Sequence, residues 1–188
     1  VLDGMYFGIG PLLLQGQRVK RFAGWDCFQF FSKKVNETKG KVFFLGSTNE
    51  TLAKIKARYC TEFPGVEVDY FSPPYKNEFG EEDLKIMRQK INLFRPDIVF
   101  VGMTAPKQEK WGYLNKEYID AHVICAIGNV FDWYAGNSKR PGLFWQKAGL
   151  EWLVRIFYRP EVFKRNIANQ MLFFWHLILF ALKIKKHD

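Results

Sequence analysis

Lys41-Val42-Phe43-Phe44-Leu45-Gly46 runs directly into Ser47-Thr48-Asn49-Glu50. The first six residues are a short apolar run closed by a glycine, the pattern of a buried strand. Ser47 and Glu50, three apart, make a capping box, so a helix is expected from there to about residue 60. That is one β-loop-α unit, and working outward from it the pattern recurs. Residues 66–70 read as a strand, 81–94 as a helix, 97–103 as a strand, 105–116 as a helix and 122–127 as a strand. Segment 72–80, with Pro73-Pro74 and Gly80, reads as a loop. Strands alternating with helices at this spacing predict a Rossmann-like α/β fold, a parallel sheet with helices on both faces.

After Gly128 the character changes. Phe131 to Tyr134 is aromatic, and Gly136-Asn137-Ser138-Lys139-Arg140-Pro141-Gly142 is a basic stretch rich in helix breakers. Two helical patterns follow, divided near Pro160. In the first, Leu150, Leu153, Val154 and Phe157 share one face, while Arg155 and Arg159 share another. The expected division is an α/β body over residues 1–138 and a C-terminal helical appendage over 139–188.

Charge follows the same division. The chain of 188 residues carries 28 Lys and Arg against 19 Asp and Glu, a formal net charge of +9. From Lys139 onward there are ten basic and three acidic residues, so a basic module adjoins a nearly neutral body. Composition is that of a globular protein, at 48% hydrophobic and 25% charged, which excludes a disordered chain. At this length about two-thirds of the unfolded surface can be buried. Cys27, Cys60 and Cys125 show neither CxxC spacing nor a nearby histidine pair, so neither a zinc site nor a disulfide framework is expected and a reducing cytoplasm fits. The chain opens at Val1, where Leu2-Asp3-Gly4 reads as a strand end entering a loop, and a preceding segment is expected.

The longest apolar run, residues 171–182, is interrupted by His176 and falls short of the roughly 20 residues that span a bilayer. A helix presents such a run around its whole circumference, so something apolar besides one protein core must cover it. Phe173, Phe174 and Trp175, followed by Lys183, Lys185 and Lys186, suit an in-plane membrane anchor whose lysines meet anionic headgroups. A core helix or a homo-oligomer interface is the alternative cover. The basic residues flank an apolar run instead of alternating with stacking aromatics, which argues against nucleic acid.

In an open parallel sheet, ligands bind beyond the carboxyl ends of the strands. One such junction is Gly102-Met103-Thr104-Ala105-Pro106-Lys107-Gln108, where Thr104 can cap a helix and Pro106 suits its first turn. Free N–H groups there, with Lys107 beside them, offer a place for a phosphate, and Gln108 offers an amide to a base or sugar. A capped helix with a solvated polar face explains the same residues. A second junction, Gly128 to Asp132, admits close backbone approach at the glycine or, equally, a tight turn with Asp132 as cap. Gly46 marks a weaker third, because neither GxGxxG nor GxxxxGK[ST] occurs. Glu67 and Asp69 share one strand face and read as solvated; no metal site is expected. His122 opens a buried strand and reads as a satisfied core residue.

Thr104-Ala105-Pro106-Lys107-Gln108-Glu109-Lys110-Trp111, then Gly128-Asn129-Val130-Phe131-Asp132 with Ala135-Gly136, then Arg140-Pro141 and Gly149-Leu150-Glu151-Trp152-Leu153 with Arg155 and Arg159-Pro160 resemble, in order and spacing, the WecG/TagA/CpsF glycosyltransferase family. The similarity runs from Asp3-Gly4 to about Arg165. It implies transfer of a hexose, often N-acetylmannosamine or its acid, from UDP to an undecaprenyl-diphosphate-linked sugar at the inner face of the cell membrane, in teichoic acid or polysaccharide synthesis. It further implies an inverting reaction with the UDP-sugar as substrate and no metal or other cofactor. Under that resemblance Asp3 is the proposed base. Gly46, Gly102, Thr104, Pro106, Lys107, Gln108, Gly128 and Asp132 hold the nucleotide sugar. Arg155 and Arg159 grip a diphosphate, of the donor or of the lipid acceptor; their plain alternative is a helix-surface pair with Glu151. A non-catalytic nucleotide-binding module that docks on membranes shares the loop and tail but leaves Asp3 dispensable.

Overall fold

A computed structural model describes residues 22–142, residue 145 and the helical positions 171, 172, 175, 176, 178 and 179. The chain divides into two compact units, Ala23–Lys139 and a second formed by Val1–Phe22 with Arg140–Asp188. Asp3, Arg155, Arg159, Phe173, Phe174, Lys183, Lys185 and Lys186 lie outside the described residues.

The Ala23–Lys139 unit begins with helix α1 (Gly24–Thr38), followed by β1 (Lys41–Gly46), α2 (Asn49–Glu62), β2 (Glu67–Phe71), α3 (Glu81–Phe94), β3 (Ile98–Gly102), α4 (Lys107–Asn115), a 3-10 turn (Lys116–Tyr118), β4 (Val123–Ala126) and α5 (Val130–Tyr134). The four strands are parallel in the order β2-β1-β3-β4. Register aligns Val42 with Val68 and Ile98, and Gly46 with Gly102, so β1 and β3 end level. The Rossmann-like expectation is met.

Because side chains alternate along a strand, β1 and β3 feed two cores. Val42, Phe44, Ile98 and Phe100 face α1, α2 and α5 and pack on Phe28, Leu52, Ile55, Tyr59 and Tyr134. On the other face Phe43, Leu45, Val99 and Val101 meet Met87, Ile91 and Trp111 of α3 and α4. The first core is aromatic: the Phe28 ring stands 4.7 Å from Tyr134 and 5.2 Å from Phe100. Each such side chain withdrawn from water contributes about 1.5–3 kcal/mol.

Several expectations are corrected. Helix α1 has no counterpart in the sequence reading: Trp25, Phe28 and Val35 share its inner face, but a polar residue, Ser32, occupies a core position between them and the exposed Phe30 interrupts the polar face. Asp26 starts this helix by accepting the Ala23 amide at 2.9 Å. The cap of α2 is Thr48, whose hydroxyl accepts the Thr51 amide at 3.2 Å, and not Ser47, which adopts φ +56°. Helix α4 starts at Lys107, with Pro106 in the cap position, because a Lys107 to Thr104 turn of 2.8 Å precedes it. His122 is no core residue. It is exposed, with Nδ1 3.2 Å from Asp97 Oδ1, since β4 is the edge strand of the described sheet. Glu67 and Asp69 are solvent-accessible as expected, paired with Lys41 at 2.9 Å and Lys56 at 3.6 Å, but they share their face with Phe43 and Phe71 and reach solvent because β2 is an edge strand of the described sheet.

Among the described residues no helix is long and apolar enough to cross a membrane. Met171, Leu172, Trp175 and Ile178, within the run predicted to seek apolar cover, are exposed.

Candidate functional site

The carboxyl ends of β1, β3 and β4 hold most of the unusual backbone. Gly46 has φ +114° and Ser47 +56°, the Ala105–Pro106 peptide is cis, and Gly128 has φ +51°. At the opposite end of the sheet the positive-φ residues Lys39 and Arg95 are only helix C-caps.

Two of the glycines serve the protein's own packing. A Cβ at Gly102 would stand 2.3 Å from Cδ2 of Phe131, and one at Gly46 would stand 2.5 Å from the Gly102 carbonyl oxygen. Their lack of side chains lets β1, β3 and α5 close on one another, an explanation that needs no ligand. Gly128 differs, because a Cβ there would press on the Gln108 carboxamide, 3.3 Å from Oε1 and 3.4 Å from Nε2. The glycine opens room for Gln108 at the head of the site.

Gln108 is buried, with 7% of its surface exposed. Its Nε2 donates to Glu109 Oε1 at 2.9 Å, while its Oε1 is buried with no hydrogen-bond partner. A buried amide oxygen left unpaired costs about 1–3 kcal/mol, so a donor from a ligand is the physical complement of this atom. The helix end around it is also open. Pro106 supplies no side-chain cap, and among the described residues no carbonyl accepts the amides of Gln108 and Glu109. Unpaired N–H groups at the positive end of a helix dipole favour an anion.

Lys107 turns elsewhere. Its ammonium lies 3.7 Å from the centroid of the Phe79 ring and donates to the Lys76 carbonyl. Burial there lowers its pKa from the ordinary lysine value, opposed by the nearby Asp83 carboxylate. Asp83 itself is held below the usual carboxylate range, chiefly by its hydrogen bond from Lys76. Thr104 and Pro106 are exposed in the turn before α4, and Asp132 sits in the first turn of α5, where its carbonyl accepts the Asn137 amide at 2.9 Å. The structure thus brings Gly102, Thr104, Pro106, Lys107, Gln108 and Gly128 to one rim.

Sequence reasoning missed two parts of this rim. Ser72 Oγ donates to the Ser47 carbonyl at 2.7 Å, tying the loop after β2 to the end of β1. Tyr75, on the same loop, is fully exposed. The Pro73-Pro74 pair before it was the available signal that this loop is stiff. Beside Gln108 a cleft of about 420 Å³ continues along α4 and β4, floored by Gly112, Ile124 and Ala126 and flanked by Tyr113 and Lys116. No nucleophilic thiol belongs to the rim: burial, with Cys27 alongside, pushes Cys125 up to about 12, where it stays protonated.

The profile of the glycosyl transferase WecG/TagA/CpsF family matches residues 1–187. Similar curated proteins include several named N-acetylglucosaminyldiphosphoundecaprenol N-acetyl-beta-D-mannosaminyltransferase. The one from Bacillus spizizenii is 30% identical over 148 residues, 79% of this chain and 56% of the relative. That from Bacillus subtilis is 27% identical over 166 residues, 88% and 63%, and that from Staphylococcus aureus 31% over 137 residues, 72% and 51%. The matched stretches thus span between half and two-thirds of the relatives' length. With the profile covering nearly all of its residues, the chain belongs to the WecG/TagA/CpsF glycosyl transferase family.

Proposed function

We propose that this chain carries the donor-binding part of an inverting glycosyltransferase, which moves N-acetylmannosamine or a related hexose from UDP to an undecaprenyl-diphosphate-linked sugar. The observation that carries the reading is the buried, unpartnered Oε1 of Gln108 beside the open N-terminus of α4. A nucleotide diphosphate sugar brings both complements, N–H or O–H donors for the amide oxygen and an anion for the helix end. The names of the similar bacterial transferases supply the sugar and the acceptor class.

In the proposed reaction the acceptor hydroxyl attacks the anomeric carbon as the bond to the UDP oxygen breaks, inverting that centre. Asp3 takes the hydroxyl proton, and the amides of Gln108 and Glu109 stabilise the charge gathering on the departing diphosphate. Arg155 and Arg159 suit a bidentate grip on a second diphosphate, that of the lipid acceptor. The exposed Met171, Leu172, Trp175 and Ile178, with Lys183, Lys185 and Lys186 beyond them, would seat the protein on the inner face of the membrane as a peripheral protein.

Offering the full-length protein a panel of UDP-sugars with a prenyl-diphosphate-linked acceptor, and detecting released UDP, tests the reaction. Release is expected with UDP-N-acetylmannosamine and persists under magnesium chelation; a strict metal requirement overturns the metal-free part. Binding of UDP without any transfer would favour a non-catalytic module. Deleting the residues after Asn169 should abolish sedimentation with anionic liposomes and leave UDP binding measurable. If the intact chain ignores liposomes but forms a dimer that this deletion dissolves, the run is a subunit interface instead.

A further inference from the structure

The loop between β2 and α3, residues 72–80, is pinned at both ends. At its start Ser72 Oγ donates to the Ser47 carbonyl at 2.7 Å, at the end of β1. Towards its finish Lys107, the first residue of α4, stacks its ammonium on Phe79 and donates to the Lys76 carbonyl. Lys76 is engaged twice, because its own ammonium bridges to Asp83 Oδ2 at 2.8 Å. Asp83 in turn accepts the Gly80 amide at 3.1 Å, closing the loop onto the first turn of α3. The loop therefore runs from the end of β2 past the end of β1 to the beginning of α4, along the rim that holds Gln108.

A lysine next to an open helix N-terminus is ordinarily read as a phosphate ligand. Here the ammonium already has a ring face, a carbonyl and a neighbouring carboxylate. We infer that Lys107 is a positioning residue: it latches loop 72–80 along the nucleotide site instead of contributing its charge to the diphosphate. This rests on the nucleotide-binding reading above. It separates two consequences that charge alone would merge. A phosphate ligand matters more with each phosphate on the ligand, whereas a latch shapes the rim equally for every ligand that enters it.

The test compares uridine, UMP and UDP binding to the full chain, by competition, in wild type, Lys107→Met, Lys107→Arg and Phe79→Leu. A latch predicts that Lys107→Met weakens all three ligands by a similar factor, about tenfold. Arginine, which also stacks on rings and donates to carbonyls, restores most of it. Phe79→Leu should reproduce the loss, and the double variant with Lys107→Met should be no worse than either single, since both act through one contact. A loss that grows from uridine to UDP, with additive singles, overturns the latch and makes Lys107 a phosphate ligand. Hydrogen exchange of the 72–80 amides gives a readout independent of any ligand. Faster exchange in Lys107→Met is expected even if the wild type binds none of the three nucleotides, in which case the nucleotide reading alone fails. Unchanged exchange overturns the latch.

Discussion

Helix α4 buries two carboxamides about two turns apart, and they are treated oppositely. Asn115, fully buried, accepts from Arg88 Nε at 2.6 Å through Oδ1 and donates to the Trp111 carbonyl at 2.7 Å through Nδ2. Gln108 uses its Nε2 on Glu109 and leaves Oε1 with nothing. Asn115 lies toward the end of the sheet where the strands begin, and Asp97 closes that end by taking the Lys41 amide at 2.8 Å and facing His122. Gln108 lies where the strands finish, among the left-handed residues and the uncapped helix. The Asn115 amide is satisfied internally and holds the fold, whereas around Gln108 an amide oxygen and helix N–H groups stay open. Buried polarity alone does not mark a site, and neither does its being left unpaired, since Trp111 Nε1 on the same helix is buried without a partner; at Gln108 the unpaired oxygen coincides with open helix N–H groups.

The comparison predicts that chemistry, stability and binding separate among named residues. The largest effect belongs to Asp3: in the full-length protein Asp3→Asn should lower kcat by about 10²–10⁴, the usual worth of a general base, with UDP affinity by calorimetry nearly unaltered. Wild-type turnover in that variant would give the proton to another group. Next, Asn115→Ala should cost about 1–3 kcal/mol in denaturant unfolding, because a fully buried side chain and its hydrogen bond from Arg88 Nε are lost. UDP affinity measured in the folded protein should hold.

Gln108→Ala should do the reverse. UDP binding weakens by roughly 1–3 kcal/mol while unfolding stability is kept, since an unpaired buried group is removed with the side chain. If Gln108→Ala destabilises as much as Asn115→Ala and leaves UDP binding alone, the contrast between the two amides is wrong. Gly128→Ala sharpens it further: the left-handed backbone there should cost about 1–2 kcal/mol of stability, and the added methyl should disturb Gln108 and with it UDP binding. The smallest effect is expected at the surface, where Glu67→Ala removes a pair with Lys41 and should change stability by about 0–1 kcal/mol.

Much of the fold was legible in advance. Strand β1 and helix α3 stand where apolar runs and turn residues put them, and the other strands lie within a residue or two of expectation. Ser47 and Thr48 are both good capping residues, and only the turn out of β1 determines which one faces the helix end. Helix α1 is held by Phe28 packed against Phe44, Phe100 and Tyr134; its inner face carries a helical period at Phe28, Ser32 and Val35, but the serine in that stripe and the exposed Phe30 blur the apolar pattern. His122 was read as buried because its strand was; its place at the edge is a property of strand order.

By itself the sequence determined the class of fold, the strand-end loops and, through the Thr104–Trp111 and Gly128–Asp132 motifs, the family. These are local matters, written in periodicity, caps and turn residues. Only the tertiary structure decided what each rim residue does. Gly46 and Gly102 are small because β1, β3 and α5 need the space, Lys107 faces a phenyl ring and a carbonyl, and Gln108 carries the one open hydrogen-bonding position of the two amides buried on α4. The glycine and lysine assignments depend on partners far away in the chain, and whether a buried polar atom such as Gln108 Oε1 is paired becomes defined only when the strands and helices have met.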